Sequence, residues 1–140
     1  MIQYPAIIKY EKNDKVFLVE FPDLPGCITY GKTLEKAKSN AKEALSGYLS
    51  TVDSRKMKFP LPSKIKGKDI YFVKPEKNVA FAVWLKTKRL KSGFTQEQIA
   101  DILNISYQSY QRFENPSKAN PTLKTIARLE EILDENLIAV

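Results

Sequence analysis

The sequence predicts an α+β protein in two parts, a β-β-β-α-β domain over residues 1–75 and an all-α domain over residues 76–140. Three observations lead to this prediction. The first half has short segments dense in β-branched and aromatic residues, which is typical of strands. After Asn78 apolar residues recur at helical spacing almost to the end of the chain. The sequence Lys74-Pro75-Glu76-Lys77-Asn78 interrupts both patterns and is the predicted boundary.

The first three strands are predicted from runs of apolar residues separated by turn chemistry. Residues 2–10 and 15–21 form a hairpin, because the break at residues 11–14 is polar and turn-like. Prolines and a glycine in residues 22–26 favour a tight turn before a third short strand at residues 27–30.

A helix of about four to five turns is predicted next, with Thr33 as its N-cap. Its apolar positions share one face: Leu34, Ala37, Ala41, Ala44, Leu45 and Tyr48. Residues 55–68 contain six basic residues and no acid, and their prolines and serine favour a loop. Residues 69–73 are a fourth strand, so the helix is expected to cover one face of a mixed sheet.

Composition excludes many classes of function. The chain of 140 residues is 43% hydrophobic, which suffices for packed cores. A net charge of +7 favours an acidic partner such as nucleic acid. The absence of histidine removes the commonest general base and zinc ligand. Cys27 is the only cysteine, so an internal disulfide is excluded and a reducing compartment is favoured.

We interpret the chain as cytoplasmic from two features. Its longest apolar run, residues 79–85, is far shorter than the roughly 20 residues that cross a bilayer. Residues 1–5 lack the basic start and apolar core of a secretory signal.

Residues 85–115 predict two helices that meet at a tight turn, followed closely by a third. Gly93 favours the left-handed conformation that ends a helix, and Thr95 and Ser106 are placed to cap the next two helices. The small side chain of Ala100 allows helices to cross closely. Tyr110, Phe113 and Trp84 are expected in the core. The outer surface of the third helix then carries Tyr107, Gln108, Gln111 and Arg112.

This arrangement resembles the helix-turn-helix of the phage-repressor (Xre/Cro) class over roughly the last 60 residues; a plain helical bundle is the alternative. In a helix-turn-helix the second helix enters the major groove, where Gln pairs with adenine and Arg with guanine. The resemblance implies that Gln96 binds a phosphate, that Arg89 and Glu114 form an internal ion pair, and that four residues face the groove: Ser106, Tyr107, Gln108 and Arg112. For Gln111, base contact and simple solvation stay equally open.

The first half resembles the HicB antitoxin family. The resemblance rests on two phrases in order, Phe21-Pro22-Asp23-Leu24-Pro25-Gly26-Cys27 and Gly31-Lys32-Thr33-Leu34-Glu35-Lys36-Ala37, where Lys36 replaces the frequent acidic residue. It implies a partial ribonuclease H-like fold and the function of a type II antitoxin. Such a protein masks a HicA-type toxin that cleaves messenger RNA, and it represses its own operon by binding operator DNA. No cofactor is implied.

Two other functions stay open at this stage. A stand-alone transcriptional regulator would use the first domain to bind a small molecule or another protein. A metal-dependent nuclease would need a cluster of carboxylates around two magnesium ions, and Glu20 and Asp23 alone do not make such a site. We therefore do not expect an enzyme.

The remaining predictions concern partners. Glu20 and Asp23 are candidate contacts for a basic toxin surface, and residues 1–75 are expected to neutralise the toxin without the second half. A homodimer or larger homo-oligomer is expected because one recognition helix covers only a few base pairs. Its predicted seam is apolar: Leu123, Ile126, Leu129, Ile132, Leu133, Leu137, Ile138 and Val140.

Overall fold

The structure is a computed structural model that describes residues 2–54 and 58–137. The chain divides into two units, an N-terminal unit of Ile2–Glu76 and a C-terminal unit that begins at Lys77. The predicted α+β class is confirmed. In chain order the elements are β1 (Tyr4–Glu11), β2 (Val16–Glu20), β3 (Ile28–Gly31), α1 (Leu34–Ser54), β4 (Ile70–Val73), α2 (Lys77–Ser92), α3 (Gln96–Leu103), α4 (Tyr107–Phe113) and α5 (Leu123–Leu133).

The sheet has the strand order β3-β2-β1-β4, and every neighbouring pair is antiparallel. The prediction of a mixed sheet is therefore wrong. Strand β4 runs in the same direction as β2, but β1 lies between them and opposes both. Parallel strands in one sheet need not be neighbours, and the sequence pattern alone did not specify which strand β4 would join.

Helix α1 packs on one face of this sheet with a stripe of small and apolar side chains. The stripe consists of Ala37, Ala41, Leu45 and Leu49, all fully buried. They recur every four residues, which keeps them on one side of the helix. The helix has 21 residues, or about six turns, and is longer than predicted. The stripe extends past the predicted end through Leu49 to Val52, and burial of this extra turn favours the helical state.

The predicted loop after α1 is anchored to the sheet where it passes residues 60–63. The Tyr4 hydroxyl donates a hydrogen bond of 2.6 Å to the Pro60 carbonyl. Asp23 Oδ2 accepts bonds of 2.8 and 3.1 Å from the backbone N–H and the hydroxyl of Ser63. These bonds satisfy the buried Tyr4 hydroxyl and the partly buried Asp23 carboxylate, and they fix the path of the chain toward β4.

The buried Tyr4 phenol and Cys27 thiol are expected to make the N-terminal unit less stable at alkaline pH. Burial, with a smaller contribution from Asp23, raises the pKa of Tyr4 to about 12, and burial raises that of Cys27 to about 11. The folded state holds both protons at pH values where the unfolded chain has released them. The free energy of unfolding is therefore expected to fall as pH rises from about 9 to 12.

Urea unfolding measured between pH 7 and 11.5 checks this expectation. Tyr4→Phe combined with Cys27→Ala should make the loss of stability with pH shallower. Tyr10→Phe is the matched control, because Tyr10 lies on the same strand and is half exposed. Equal slopes for all three proteins would contradict the assignment.

The C-terminal unit packs α2 to α5 around one apolar core. Leu85, Ile99, Tyr110 and Leu129 are fully buried, and Phe81 and Trp84 lie beside them. Phe113 packs against the same cluster, as expected from the sequence. Among the described residues, no helix is both long enough and apolar enough to span a membrane.

Candidate functional site

The angles between α2, α3 and α4 are set by helix-capping side chains and by residues in the left-handed backbone conformation. Gly93, with φ of 79°, follows the end of α2, and Thr95 caps α3. The Thr95 hydroxyl accepts a bond of 3.0 Å from the Gln98 N–H, and the Gln98 side chain accepts one of 2.8 Å from the Thr95 N–H. Asn104, with φ of 57°, ends α3. These reciprocal bonds satisfy helix-end donors and fix the tight turns of a helix-turn-helix.

Helix α4 presents all four of the predicted outer residues to solvent, and Ser109 is exposed beside them. The four are Tyr107, Gln108, Gln111 and Arg112. Tyr110 points the other way and is fully buried, which fixes the rotation of the helix. The exposed set therefore forms one surface on a helix of about two turns, the size of element that a major groove admits.

Ser106 has a structural role in this arrangement. Its hydroxyl accepts a bond of 3.1 Å from the Ser109 N–H and donates one of 2.8 Å to the Ser109 hydroxyl. Both bonds cap the start of α4. Ser106 thus lies on the surface predicted to face DNA, but its hydroxyl is already used in the hydrogen bonds that cap α4.

A buried ion pair joins the end of α2 to the end of α4. The Arg89 guanidinium contacts Glu114 through two bonds, Nε to Oε2 at 2.5 Å and Nη2 to Oε1 at 3.0 Å. The Tyr110 hydroxyl donates to the same carboxylate at 2.6 Å. The hydrogen bond to Glu114 raises the pKa of Arg89, and burial followed by the Glu114 charge raises that of Tyr110. Arg89 and Tyr110 therefore both keep their protons at neutral pH.

Gln96 links this buried network to the protein surface. Its side-chain amide donates a bond of 3.1 Å to Glu114 Oε1, and the side chain is only partly exposed. The amide group carries two hydrogens, so one is left for a phosphate oxygen. The sequence indicated the Arg89–Glu114 pair through a resemblance, but nothing in the pattern indicated that Tyr110 and Gln96 share its carboxylate.

A small basic groove beside α4 was missed by the sequence analysis. It has a volume of about 150 Å³ and includes Phe113, Lys124 and Arg128 in its lining. Arg128 Nη2 donates a bond of 3.1 Å to the Ile102 carbonyl at the end of α3. Lys124 and Arg128 lie four residues apart on the exposed face of α5. Residues at this spacing are neighbours on a helix surface, so the sequence could have predicted that the two cations lie together.

The predicted dimer seam on α5 needs a correction. Leu129, Leu133 and Leu137 lie in the core of the C-terminal unit, so they are not available to a second copy. Ile126 and Ile132 are partly buried against that core, and Leu123 is 76% exposed. Ile138 and Val140 lie outside the described residues. An apolar helical stripe has the same spacing whether it packs within the chain or against another chain.

The two acidic candidates on the N-terminal unit lie in different surroundings. Glu20 is exposed at the end of β2, whereas Asp23 is partly buried and holds Ser63. Asp23 therefore anchors the segment at residues 60–63, and its contact with a toxin stays a prediction. Among the side chains that the structure describes, no three acidic or cysteine groups lie close enough together to hold a metal ion.

Comparisons with known proteins agree with both halves of this description. The family model of the HicB-like antitoxins of bacterial toxin-antitoxin systems matches residues 4–101, and a helix-turn-helix family model matches residues 85–138. Antitoxin HicB 2 of Photorhabdus laumondii is 29% identical over 136 residues, which cover 97% of this chain and 94% of that one.

Two further relatives cover less of the chain. Antitoxin HicB of Escherichia coli K12 is 30% identical over 99 residues, which are 71% of each chain. The crystal structure of the Burkholderia pseudomallei antitoxin HicB superposes with a TM-score of 0.47 at 21% identity, over 56% of this chain and 67% of that one. Because the HicB-like family model spans more than half of the sequence, the chain belongs to the HicB-like antitoxin family of bacterial toxin-antitoxin systems.

Proposed function

We propose that this chain is the antitoxin of a type II HicA/HicB system, which masks a HicA-type toxin that cleaves messenger RNA and represses its own operon. The observation that carries the proposal is the order of two family matches in one chain, the antitoxin match at residues 4–101 and the helix-turn-helix match at residues 85–138. The relatives in Photorhabdus laumondii and Escherichia coli bear the name antitoxin HicB.

The C-terminal unit binds operator DNA in this proposal. Its α4 lies in the major groove, where Gln108 and Arg112 reach base edges and Tyr107 and Gln111 complete the contact surface. Gln96 binds a backbone phosphate from the start of α3, where helix N–H groups also favour an anion. Two copies read two half-sites as a homodimer.

Residues 1–75 cover the toxin and residues 76–140 carry DNA binding and dimerisation. This division follows the proposed function and the two units into which the chain folds. The protein works in the bacterial cytoplasm, since messenger RNA and the operator are both found there. Neither role needs a cofactor or a catalytic residue of this chain.

The direct test uses the toxin encoded beside this chain. Cleavage of a messenger RNA by the purified toxin is expected to stop when the full chain is added in equal amount, and the two proteins should co-purify. Undiminished cleavage at a large excess of this chain would reject the antitoxin function and favour a stand-alone regulator.

A pair of alanine variants separates base reading from phosphate binding. Gln108→Ala should weaken binding to the operator by about 1 to 3 kcal/mol and leave binding to random DNA unchanged. Gln96→Ala should weaken binding to both DNAs by similar factors. Fluorescence anisotropy with both duplexes at one salt concentration measures the difference, and equal losses for Gln108→Ala would show that Gln108 does not read bases.

A further inference from the structure

Four lysines lie on an exposed loop of the N-terminal unit, between α1 and β4. The loop consists of residues 58–68, which contain no acidic residue, and we name it the lysine loop. Its cations are Lys58, Lys64, Lys66 and Lys68, and all four are exposed. Within the part of the chain that the structure describes, none of the four ammonium groups is in an ion pair. Such a group of unpaired cations is a candidate contact for a polyanion.

The backbone of the lysine loop is held in place at two points. The bonds of Pro60 and Ser63 described above fix residues 60–63 to the sheet. Toward β4, the Ile70 N–H donates a bond of 3.2 Å to the Gly67 carbonyl. The four cations are therefore kept together on one part of the surface. A ligand that binds them has little backbone left to order, which lowers the entropic cost of binding.

Two acidic residues adjoin the lysine loop and reduce its charge. Asp23 accepts the bonds from Ser63, and Asp69 follows Lys68 in the sequence. Four lysines against these two acids still leave a surplus of two positive charges. The Asp23 carboxylate is also partly buried and already hydrogen-bonded, so it is poorly placed to pair with a lysine. The lysine loop is therefore positive with its acidic neighbours included.

The helix-turn-helix unit itself has a small surplus of positive charge. Residues 77–140 carry nine Lys or Arg against seven Asp or Glu, a net charge of +2, whereas residues 1–76 carry fourteen against nine, a net charge of +5. Of the nine cations, Lys88, Arg89 and Lys91 are already in ion pairs with acids. Contacts between cations and phosphates supply a large share of the affinity of most proteins for DNA. Cations outside the helix-turn-helix unit would therefore add substantially to that affinity.

The covalent link keeps both units near the same DNA. Residues 74–76 separate the end of β4 at Val73 from the start of α2 at Lys77. Four steps between Cα atoms span at most about 14 Å. When the C-terminal unit is on DNA, the lysine loop is therefore present at an effective concentration on the order of millimolar. At that concentration even weak contacts with phosphates are populated, and this favours DNA over RNA as the polyanion.

We propose that the lysine loop binds backbone phosphates of the DNA on which α4 reads the operator. The inference rests on the proposed operator binding and adds a contact surface from the other unit. Phosphate contacts carry no sequence information, whereas base contacts do. The lysine loop therefore adds affinity for any duplex, and α4 selects the operator.

The test replaces Lys64, Lys66 and Lys68 with Gln in the full chain. Fluorescence anisotropy over a range of salt concentrations gives the affinity for an operator duplex and for a random duplex. Each phosphate contact that is lost lowers the slope of log K against log salt concentration by about 1, so the slope should fall by about 3 for each bound chain. Both affinities should fall by the same factor, at least about tenfold at 0.1 M salt. Operator binding itself is retained, because α4 still reads the bases.

The matched control removes the same number of charges from another part of the same unit. It combines Lys12→Gln, in the turn after β1, with Lys32→Gln and Lys36→Gln at the start of α1, and all three lysines are exposed. Charges farther apart than about 10 Å are screened at 0.1 M salt, so this variant should change the slope by less than about 1. The melting temperature of the lysine-loop variant and its inhibition of the toxin should equal those of the unchanged chain.

The outcomes separate this proposal from the proposed function. If the unchanged chain does not prefer the operator to random DNA, operator binding fails. If it does, and the lysine-loop variant has the same salt slope as the control variant, the lysine loop does not bind DNA and the function stands. If the lysine-loop variant keeps its slope on DNA but loses affinity for a single-stranded RNA, the polyanion is RNA and the proposal is overturned.

Discussion

Replacing Arg89 with alanine is expected to destabilise the C-terminal unit by about 3 to 5 kcal/mol and to abolish operator binding. The change leaves the Glu114 carboxylate, only 4% exposed, without its cation. The network that joins α2, α4 and Gln96 is lost with it. Urea unfolding followed by Trp84 fluorescence measures the effect, because Trp84 is the only tryptophan and lies in this core.

A triple variant tests whether the uncompensated charge is the cause. Arg89→Met, Glu114→Leu and Tyr110→Phe together remove the buried cation, the anion and the hydroxyl that donates to it. Because apolar replacements leave no buried charge, this protein should be considerably more stable than Arg89→Ala. A triple variant as unstable as the single one would show that packing, not charge, accounts for the loss.

Replacing Gly31 with alanine is expected to destabilise the N-terminal unit by about 3 kcal/mol, at the upper end of the effects of overpacking. A Cβ at this position would lie 2.3 Å from the Ala37 backbone nitrogen and 2.7 Å from its Cα. These are backbone atoms of the first turns of α1, so the helix would have to move away from β3. Toxin inhibition should be lost at temperatures where the unit unfolds.

Gly47→Ala is the matched control. A Cβ at Gly47 would meet nothing within 4 Å, and the residue lies inside α1. Alanine is favoured over glycine in a helix by about 1 kcal/mol, so this variant should be more stable than the unchanged chain. Thermal unfolding of both variants checks the pair, and a Gly31→Ala protein as stable as Gly47→Ala would contradict the close approach of β3 and α1.

Local chemistry made much of the fold predictable. The strands of the hairpin, the turn at Gly93 and the helix caps at Thr95 and Ser106 depend on residues close in sequence, and the structure has each of them. The antitoxin family was also recognisable from two short phrases, because their turn residues occur in a fixed order. Predictions of this kind use only spacing and residue type.

What the sequence pattern did not predict is which side chains pack against or bind each other in the folded protein. The bond between Asp23 and Ser63, which is 40 residues away in the sequence, was not predicted. Leu129 and Leu133 were assigned to a dimer, but they complete the core of their own unit. Such partners are set by tertiary structure, which a single sequence pattern does not specify.

Two assays on the two destabilised variants test the division of labour between the units. Inhibition of toxin cleavage and operator affinity are measured for Gly31→Ala and Arg89→Ala at a temperature where only the altered unit has unfolded. The account predicts a crossed result: Gly31→Ala loses toxin inhibition and keeps operator binding, whereas Arg89→Ala keeps toxin inhibition and loses operator binding. Loss of both activities in either variant, or toxin inhibition that survives in Gly31→Ala and disappears in Arg89→Ala, would contradict it.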